Sequence, residues 1–239
     1  MDFLDATFPT PEENLACDEA LLDEAESGAA GEVLRIWEPA MYFAVLGNSN
    51  VAAKEVNVGL CRDLGIPILR RASGGGAVLQ GPGCLNYALI LAISPSGPLR
   101  TIAGANAHIM NSHAGALGAL LQRDVRVMGT SDLAIETRKF SGNAQRRRTR
   151  FLLYHGTFLL ALDFLLLDRV LPFPSEAPTY RNKRSHGEFL MNIGAGAQAL
   201  RTALREFWGA VDARARVPED RVRTLVMDRY ARPDWSFRR

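Results

Sequence analysis

The stretch DVRVMGTSDLAIETRKFSGNAQRRRTRFLLYHGTFLLAL, residues 124–162, decides the fold. Within it DVRVMG, DLAIE, KFSGNAQ and FLLYHGTFLLAL read as a run of strands with no helical period between them. Upstream, LNYALILAI (85–93) is an apolar run after the turn GPG and reads as a buried strand. IPILRR (66–71) reads as another, and TIAGANAHIMNSHAGALGALLQR (101–123) as the longest helix. Nearer the start, PEENLACDEALLDEAES reads as a helix. Pro11 and acids fill its first turns, and Leu15, Leu21, Leu22 and Ala25 form its apolar stripe. VLRIW (33–37) and YFAVLG (42–47) read as a strand pair about the Glu38-Pro39 turn, and AAKEVNVGLCRDLG as a second helix closed by Gly65. Downstream come a short helix near 163–170, a Pro-rich basic loop over 171–187, and two helices at roughly 188–209 and 218–231. Strands and helices mix without regular βαβ alternation. That predicts an α+β fold with a mixed, mostly antiparallel sheet flanked by helices.

The chain has 239 residues, 47% hydrophobic and 23% charged, with a formal net charge of +2. This excludes disorder and suits one sizeable core. Cys17, Cys61 and Cys84 have neither paired nor CxxC spacing, which excludes a disulfide scaffold and the usual zinc pattern. The acidic start MDFLDATFPTPEEN is neither a signal nor a transit peptide, and no apolar run approaches a membrane span. A cytoplasmic protein with no membrane partner is expected. The near-neutral total hides an asymmetry. Residues 1–60 hold twelve acids and two bases, whereas Arg138 to Arg150 holds six bases and no acid. Such a field suits a nucleotide or an acidic protein surface. There are 25 arginines but only three lysines: Lys54, Lys139 and Lys183.

Three segments carry candidate chemistry. In RRASGGGAV (70–78), three glycines after a strand allow close backbone approach to a ligand, and two arginines supply bidentate donors for phosphate or carboxylate. No GK[ST] follows, and neither GxGxxG nor GxSxG fits. In DLAIETRKFSGNAQ (132–145), Lys139 either neutralises a phosphate and a carboxylate together, with a Ser141-Gly142 turn aiming backbone donors at the same ligand, or is a solvent-facing lysine on an edge strand. Asp132 is suited to orient a ribose, base or magnesium ion, or to cap a turn. In YHGTFLL (154–160), His155 precedes a glycine in an apolar strand, where a histidine is either a core residue or a partner for a carboxylate ligand. His108 and His113 lack HExxH spacing, so no metal site is read.

Together, in this order, these motifs resemble the lipoate–protein ligase A family of the biotin/lipoate ligase superfamily. RRASGGGAV is similar to RRxSGGGAV, SDLAI…RKFSGNAQRRR to NDLxx…RKxSGSAxR, and YHGTFLL to HHGTLLL. Weaker similarity covers ENLACDEALL, RIWEPAMYFAVLGNSN and TYRNKRSHG. The resemblance implies the biotin/lipoate ligase catalytic-domain fold, related to class II aminoacyl-tRNA synthetases. It implies ATP with Mg²⁺, lipoate as substrate, a lipoyl-adenylate, and transfer to a lysine of a lipoyl domain. The acceptor would be a protein such as a glycine-cleavage H protein or a 2-oxoacid dehydrogenase E2 subunit. Lys139 matches the catalytic lysine. Arg71, Gly76, Ala77, Val78, Leu79, Lys139 and Asp132 would bind ATP. Arg71, Ser73, Gly74, Gly75, Lys139, Ser141, Gly142, Ala144, His155 and Gly156 would bind lipoate.

There are departures. The family often carries HDxGN where this chain has QGPGC (80–84). Larger members also carry a C-terminal accessory domain, so residues 1–239 are expected to form a single catalytic domain lacking it. A separate polypeptide would then supply it, or the chain works without it, or adenylation is weak. The rival reading is an octanoyl- or lipoyltransferase, which passes the acyl chain through a cysteine C-terminal to the HG strand. None exists after Cys84, which is either buried beside its turn or facing the pocket. A non-catalytic lipoate or lipoyl-domain binder is a further reading. Nucleic acid is not an expected partner, because the basic run has few interleaved aromatics and no recognised motif.

Overall fold

A computed structural model of the chain describes residues 1–212 and 216–238. Its strands are β1 (Asp2–Asp5), β2 (Val33–Trp37), β3 (Phe43–Leu46), β4 (Ile68–Arg70), β5 (Val78–Gln80), β6 (Cys84–Ala92), β7 (Val125–Met128), β8 (Asp132–Ile135), β9 (Arg138–Arg147), β10 (Phe151–Leu159) and β11 (Val211–Asp212). Eight of them form one sheet in the order β11-β1-β2-β6-β10-β9-β8-β7. Within it, among the described residues, only the β11/β1 and β1/β2 pairs are parallel. β4-β3-β5 form a second, smaller sheet.

The helices are α1 (Pro11–Ser27), α2 (Ala52–Glu55), α3 (Val58–Asp63), α4 (Ile102–Leu121), α5 (Phe164–Val170), α6 (His186–Phe189), α7 (Ala197–Phe207), α8 (Glu219–Leu225) and α9 (Pro233–Ser236). Local chemistry sets their ends. Thr10 and Glu13 make a capping box at the start of α1, with Pro11 in its first turn, and Gly28 closes it at φ +90°. Thr101 caps α4, Asp163 caps α5, and Ser185 with Glu188 boxes α6.

The large sheet is buried on both faces. Val33, Trp37, Ile90 and Leu153 pack on one side against Leu15, Leu21 and Leu22 of α1 and Val222 and Leu225 of α8. Leu34, Ile36, Leu89 and Leu91 pack on the other against Ile109 and Leu117 of α4 and Leu200 and Leu204 of α7. β6 is therefore apolar on both sides, which is why its sequence shows no alternation.

The α+β class and the strand run 125–162 agree with the sequence reading. Three local expectations do not. β2 and β3 are not a pair: β2 joins β1 and β6 in the large sheet, while β3 joins β4 and β5. The segment 52–65 is two short helices. Val56 is extended at φ −139°, ψ 140°, and the Asn57 side chain starts a new helix by accepting from Leu60 N–H. The segment 188–209 is also divided. α6 ends at Phe189, and the chain then runs alongside Lys139 through a Leu190 bridge before α7 begins after Gly196.

Candidate active site

Cross-strand register builds the floor. Residues directly opposed across a sheet share a face. One row is Arg35, Ala88, His155 and Ala144; the next is Trp37, Asn86, Thr157 and Gly142. Both lie on the face that α1 covers, since Trp37 and Ala88 belong to its core. The small sheet and the 171–190 segment close over them. Between these layers lies a cavity of about 490 Å³.

The glycine loop forms one wall, with Arg71, Gly75, Gly76, Ala77, Val78 and Leu79 all on the cavity. Gly75 sits at φ +87°, in the left-handed region. A Cβ at Gly47 would lie 1.9 Å from the Gly75 carbonyl oxygen, so the 47–50 turn is packed directly under the loop. Arg71 curls inside it, donating through Nε to Ser73 Oγ (3.0 Å) and through Nη2 to the carbonyls of Gly74 (2.5 Å) and Gly76 (2.9 Å). Burial pulls its guanidinium down to about 10.

Arg70 corrects the expectation that both arginines face an anion. It is fully buried and donates to the carbonyls of Gly47, Asn50 and Ser236. Its work is to tie strand β4 to the chain's last helix.

Lys139 and Asp132 also line the cavity. Lys139 Nζ lies 2.7 Å from Asp132 Oδ1, and Asp132 Oδ2 accepts from the Tyr180 hydroxyl at 2.8 Å. Burial and the Asp132 charge push the Tyr180 phenol upward, so it stays a donor. Ser141 and Gly142 are not a turn, as expected from sequence, but lie inside β9. Ser141 is fully buried and off the cavity. Gly142 leaves room for the lysine, because a Cβ there would sit 2.9 Å from Nζ. Much of the basic run is engaged locally. Arg138 donates to the Leu190 carbonyl, Arg147 to the Leu99 and Arg100 carbonyls, and Arg148 pairs with Asp23.

Of the other expected residues, Ala144, His155 and Gly156 reach the cavity, whereas Ser73 and Gly74 do not. Gly156 has a reason that sequence did not disclose. A Cβ there would fall 1.7 Å from Asn143 Oδ1 and 2.9 Å from Tyr87 Cε1. Asn143 holds this spot by accepting from the Tyr87 hydroxyl (2.6 Å) and donating to the Ser131 carbonyl (2.6 Å).

Sequence reasoning also missed Leu15, Asp18, Trp37 and Val45, which line the cavity from α1, β2 and β3. The acids of α1 read as a helix-dipole feature, which concealed Asp18. Gln80, inside the divergent QGPGC stretch, donates to Thr157 Oγ1, which donates to Asn86 Oδ1. From the covering segment, Arg181 reaches the cavity with its guanidinium 4.6 Å and 5.0 Å from the Phe173 and Phe189 rings.

Cys17, Cys61 and Cys84 are fully buried, and none is in the cavity wall. Burial pushes the thiols of Cys17 and Cys84 up to about 12. Among the described residues, no group of three or more His, Cys, Asp or Glu could hold a metal ion, and no helix is long and apolar enough to cross a membrane.

A sheet-backed cavity lined by a glycine loop and a lysine accords with the catalytic domain of the lipoate ligase and transferase superfamily, the class whose family model the chain matches. The chain belongs to the lipoyl protein ligase A/B catalytic domain family, whose model matches residues 10–202. It is 33% identical over 161 residues to an Aeropyrum pernix protein named for lipoate-protein ligase A, covering 67% of this chain and 58% of that protein. It is 32% identical over 193 residues to the octanoyltransferase LipM of Carboxydothermus hydrogenoformans, covering 72% and 70%. Among solved structures it is similar to a bi-partite lipoate protein ligase of Thermoplasma acidophilum, described with its E2 lipoyl domain (TM-score 0.83, 23% identity, 99% and 95% covered). It is similar also to a lipoate-protein ligase A bound with ATP (TM-score 0.82, 22% identity, 99% and 98% covered). At those identities the structures establish the fold.

Proposed function

We propose that the chain is an ATP-dependent lipoate–protein ligase. The observation that carries this reading is a cavity lined by both Lys139 and the glycine loop, with no cysteine in its wall. Passing an acyl chain from one carrier to another without ATP calls for a protein nucleophile to hold it, typically a thiolate. The three thiols lie elsewhere, and burial keeps those of Cys17 and Cys84 protonated. Activation by adenylation needs no such group.

In the first step a lipoate carboxylate oxygen bonds to the α-phosphorus of ATP, and pyrophosphate leaves. Both reactants are anions, so the protein's task is to offset repulsion and stabilise charge on the α-phosphate. Lys139 sits between the carboxylate and that phosphate, released from Asp132. Arg71 and the glycine loop present donors from their own wall, with Gly76 to Leu79 and Asp132 on the nucleotide side. Mg²⁺ enters with the triphosphate as part of the substrate. Leu15, Trp37, Val45 and Val78 give the acyl tail an apolar end, and His155, Ala144 and Gly156 lie along its course. In the second step the neutral amine of a lipoyl-domain lysine attacks the carbonyl and AMP leaves, with proximity supplying much of the rate.

The test incubates the protein with ATP, Mg²⁺, lipoate and an apo lipoyl domain, and follows lipoyl-AMP and modified domain by mass spectrometry. Both are expected, and Lys139→Ala should lose about 10²–10³-fold in rate, the cost of one such charge donor. If the chain alone is silent, the assay is repeated with an added accessory-domain polypeptide. Binding without turnover in both arms would overturn the reading in favour of a binder.

A further inference from the structure

A chain of hydrogen bonds runs from helix α1 to the glycine loop through Asp18, His155, Ser73 and Arg71, and the proposed chemistry gives Asp18 and Ser73 no part. Asp18 is buried, and its Oδ1 lies 2.6 Å from Nη1 of the fully buried Arg35. The rest of that guanidinium is engaged with the Ala6 and Asn14 carbonyls and Asn14 Oδ1. Asp18 Oδ2 is therefore left for His155 Nδ1, at 3.1 Å. On the far side of the ring, Nε2 is 2.6 Å from Ser73 Oγ. Ser73 Oγ in turn accepts from Arg71 Nε at 3.0 Å.

The protons in this chain have one consistent arrangement. A guanidinium can only donate, so Ser73 Oγ accepts from Arg71. The serine is 1% exposed, and among the described residues its O–H has His155 Nε2 as the one acceptor in reach. Nε2 then carries no proton, and the neutral imidazole holds its hydrogen on Nδ1, donating to Asp18. With Ser73 so oriented, Arg71 is aimed at the carbonyls of Gly74 and Gly76, which fixes the curl of the loop.

We propose that Asp18 is a positioning residue which, by setting the tautomer of His155, holds Ser73 and Arg71 and so keeps the glycine loop in its anion-binding shape. The functional consequence rests on the ligase reading above; the wiring itself does not.

The experiment uses the whole protein labelled with ¹⁵N. Imidazole nitrogen shifts report which ring nitrogen is protonated, and backbone amides report the loop. In the wild type, His155 should show a protonated Nδ1 and a bare Nε2. In Asp18→Asn the new amide oxygen stays on Arg35, so its NH₂ faces Nδ1 and the proton moves to Nε2. That N–H then competes with Arg71 for Ser73, and the Gly74, Gly75 and Gly76 amides should shift. KM for ATP and lipoate should rise on the order of tenfold, the effect of one misplaced hydrogen bond to a charged group, with a smaller change in kcat. Ser73→Ala leaves the Asp18–Arg35 pair intact, so it serves if Asp18→Asn fails to fold. It should keep the Nδ1–H tautomer yet shift the same amides. An Nε2–H tautomer in the wild type, or unmoved loop amides in Ser73→Ala, would overturn the proposal. Intact NMR signatures with no ATP-dependent turnover in the wild type would instead count against the ligase reading alone.

Discussion

Gly156→Ala tests whether the glycine of the YHG motif exists for packing rather than for ligand approach. The added methyl would meet Asn143 Oδ1 at 1.7 Å, so the amide must leave. Its departure breaks the bonds to the Tyr87 hydroxyl and the Ser131 carbonyl. Losing the second costs about 1 kcal/mol, and leaving the buried Tyr87 O–H unpartnered about 1–3 more. Residual overlap with the Tyr87 ring edge, 2.9 Å away, adds about 1 kcal/mol. The sum is about 3–5 kcal/mol, or roughly 10 °C in Tm for a domain of this size. Asn143→Ala loses the same two bonds and should cost about 2–4 kcal/mol. In the double variant the space is already open, so Gly156→Ala should then add only about 1 kcal/mol. Denaturant unfolding of all four proteins closes the cycle. Additive costs would refute the reasoning, because they would mean that the glycine and Asn143 do not share that volume.

Other outcomes follow from the same contacts. Gly47→Ala places a methyl 1.9 Å from the Gly75 carbonyl oxygen and must displace the loop, so substrate affinity should fall more than stability, as read by KM beside Tm. His113 is fully buried, and burial drives its imidazole down to about 3. The unfolded chain therefore binds the proton first, and stability should fall as pH drops from about 6.5 toward 3, by up to about 1.4 kcal/mol per pH unit. His113→Phe should flatten that slope in unfolding curves measured across the range, though it leaves the Trp208 indole N–H without its acceptor. Cys84→Ala should leave acyl transfer within about twofold, since the thiol is outside the cavity and removing one buried atom costs little; loss of transfer would return that cysteine to the mechanism.

The sheet was legible because each strand from 125 to 159 announces itself by composition and is followed by a short gap. Pairing partners were not. β2 and β3 look like a hairpin, but only the packed molecule shows that one belongs to each sheet. The segment 188–209 has helix-forming residues throughout, yet its early part is drawn alongside Lys139 by a strand bridge, a tertiary contact that local propensity does not encode. At the site, Lys139, the glycine loop and His155 were readable as motifs, since each combines unusual residue types at short spacing. Arg70 and Arg71 are identical as letters and both are buried, so only their tertiary partners separate the one that ties down the last helix from the one inside the loop. Asp18 and Asn143 act through partners more than ten residues away in sequence, so no local window could have singled them out.

The measurement that bears most directly on the account compares acyl donors in one assay. Apo lipoyl domain is incubated with the protein and either lipoate with ATP and Mg²⁺, or octanoyl-carrier protein with no nucleotide. The account predicts modified domain and pyrophosphate only in the first arm, lost with Lys139→Ala. Transfer from the carrier protein without ATP would contradict it, and would align the chain with its relatives named octanoyltransferase LipM.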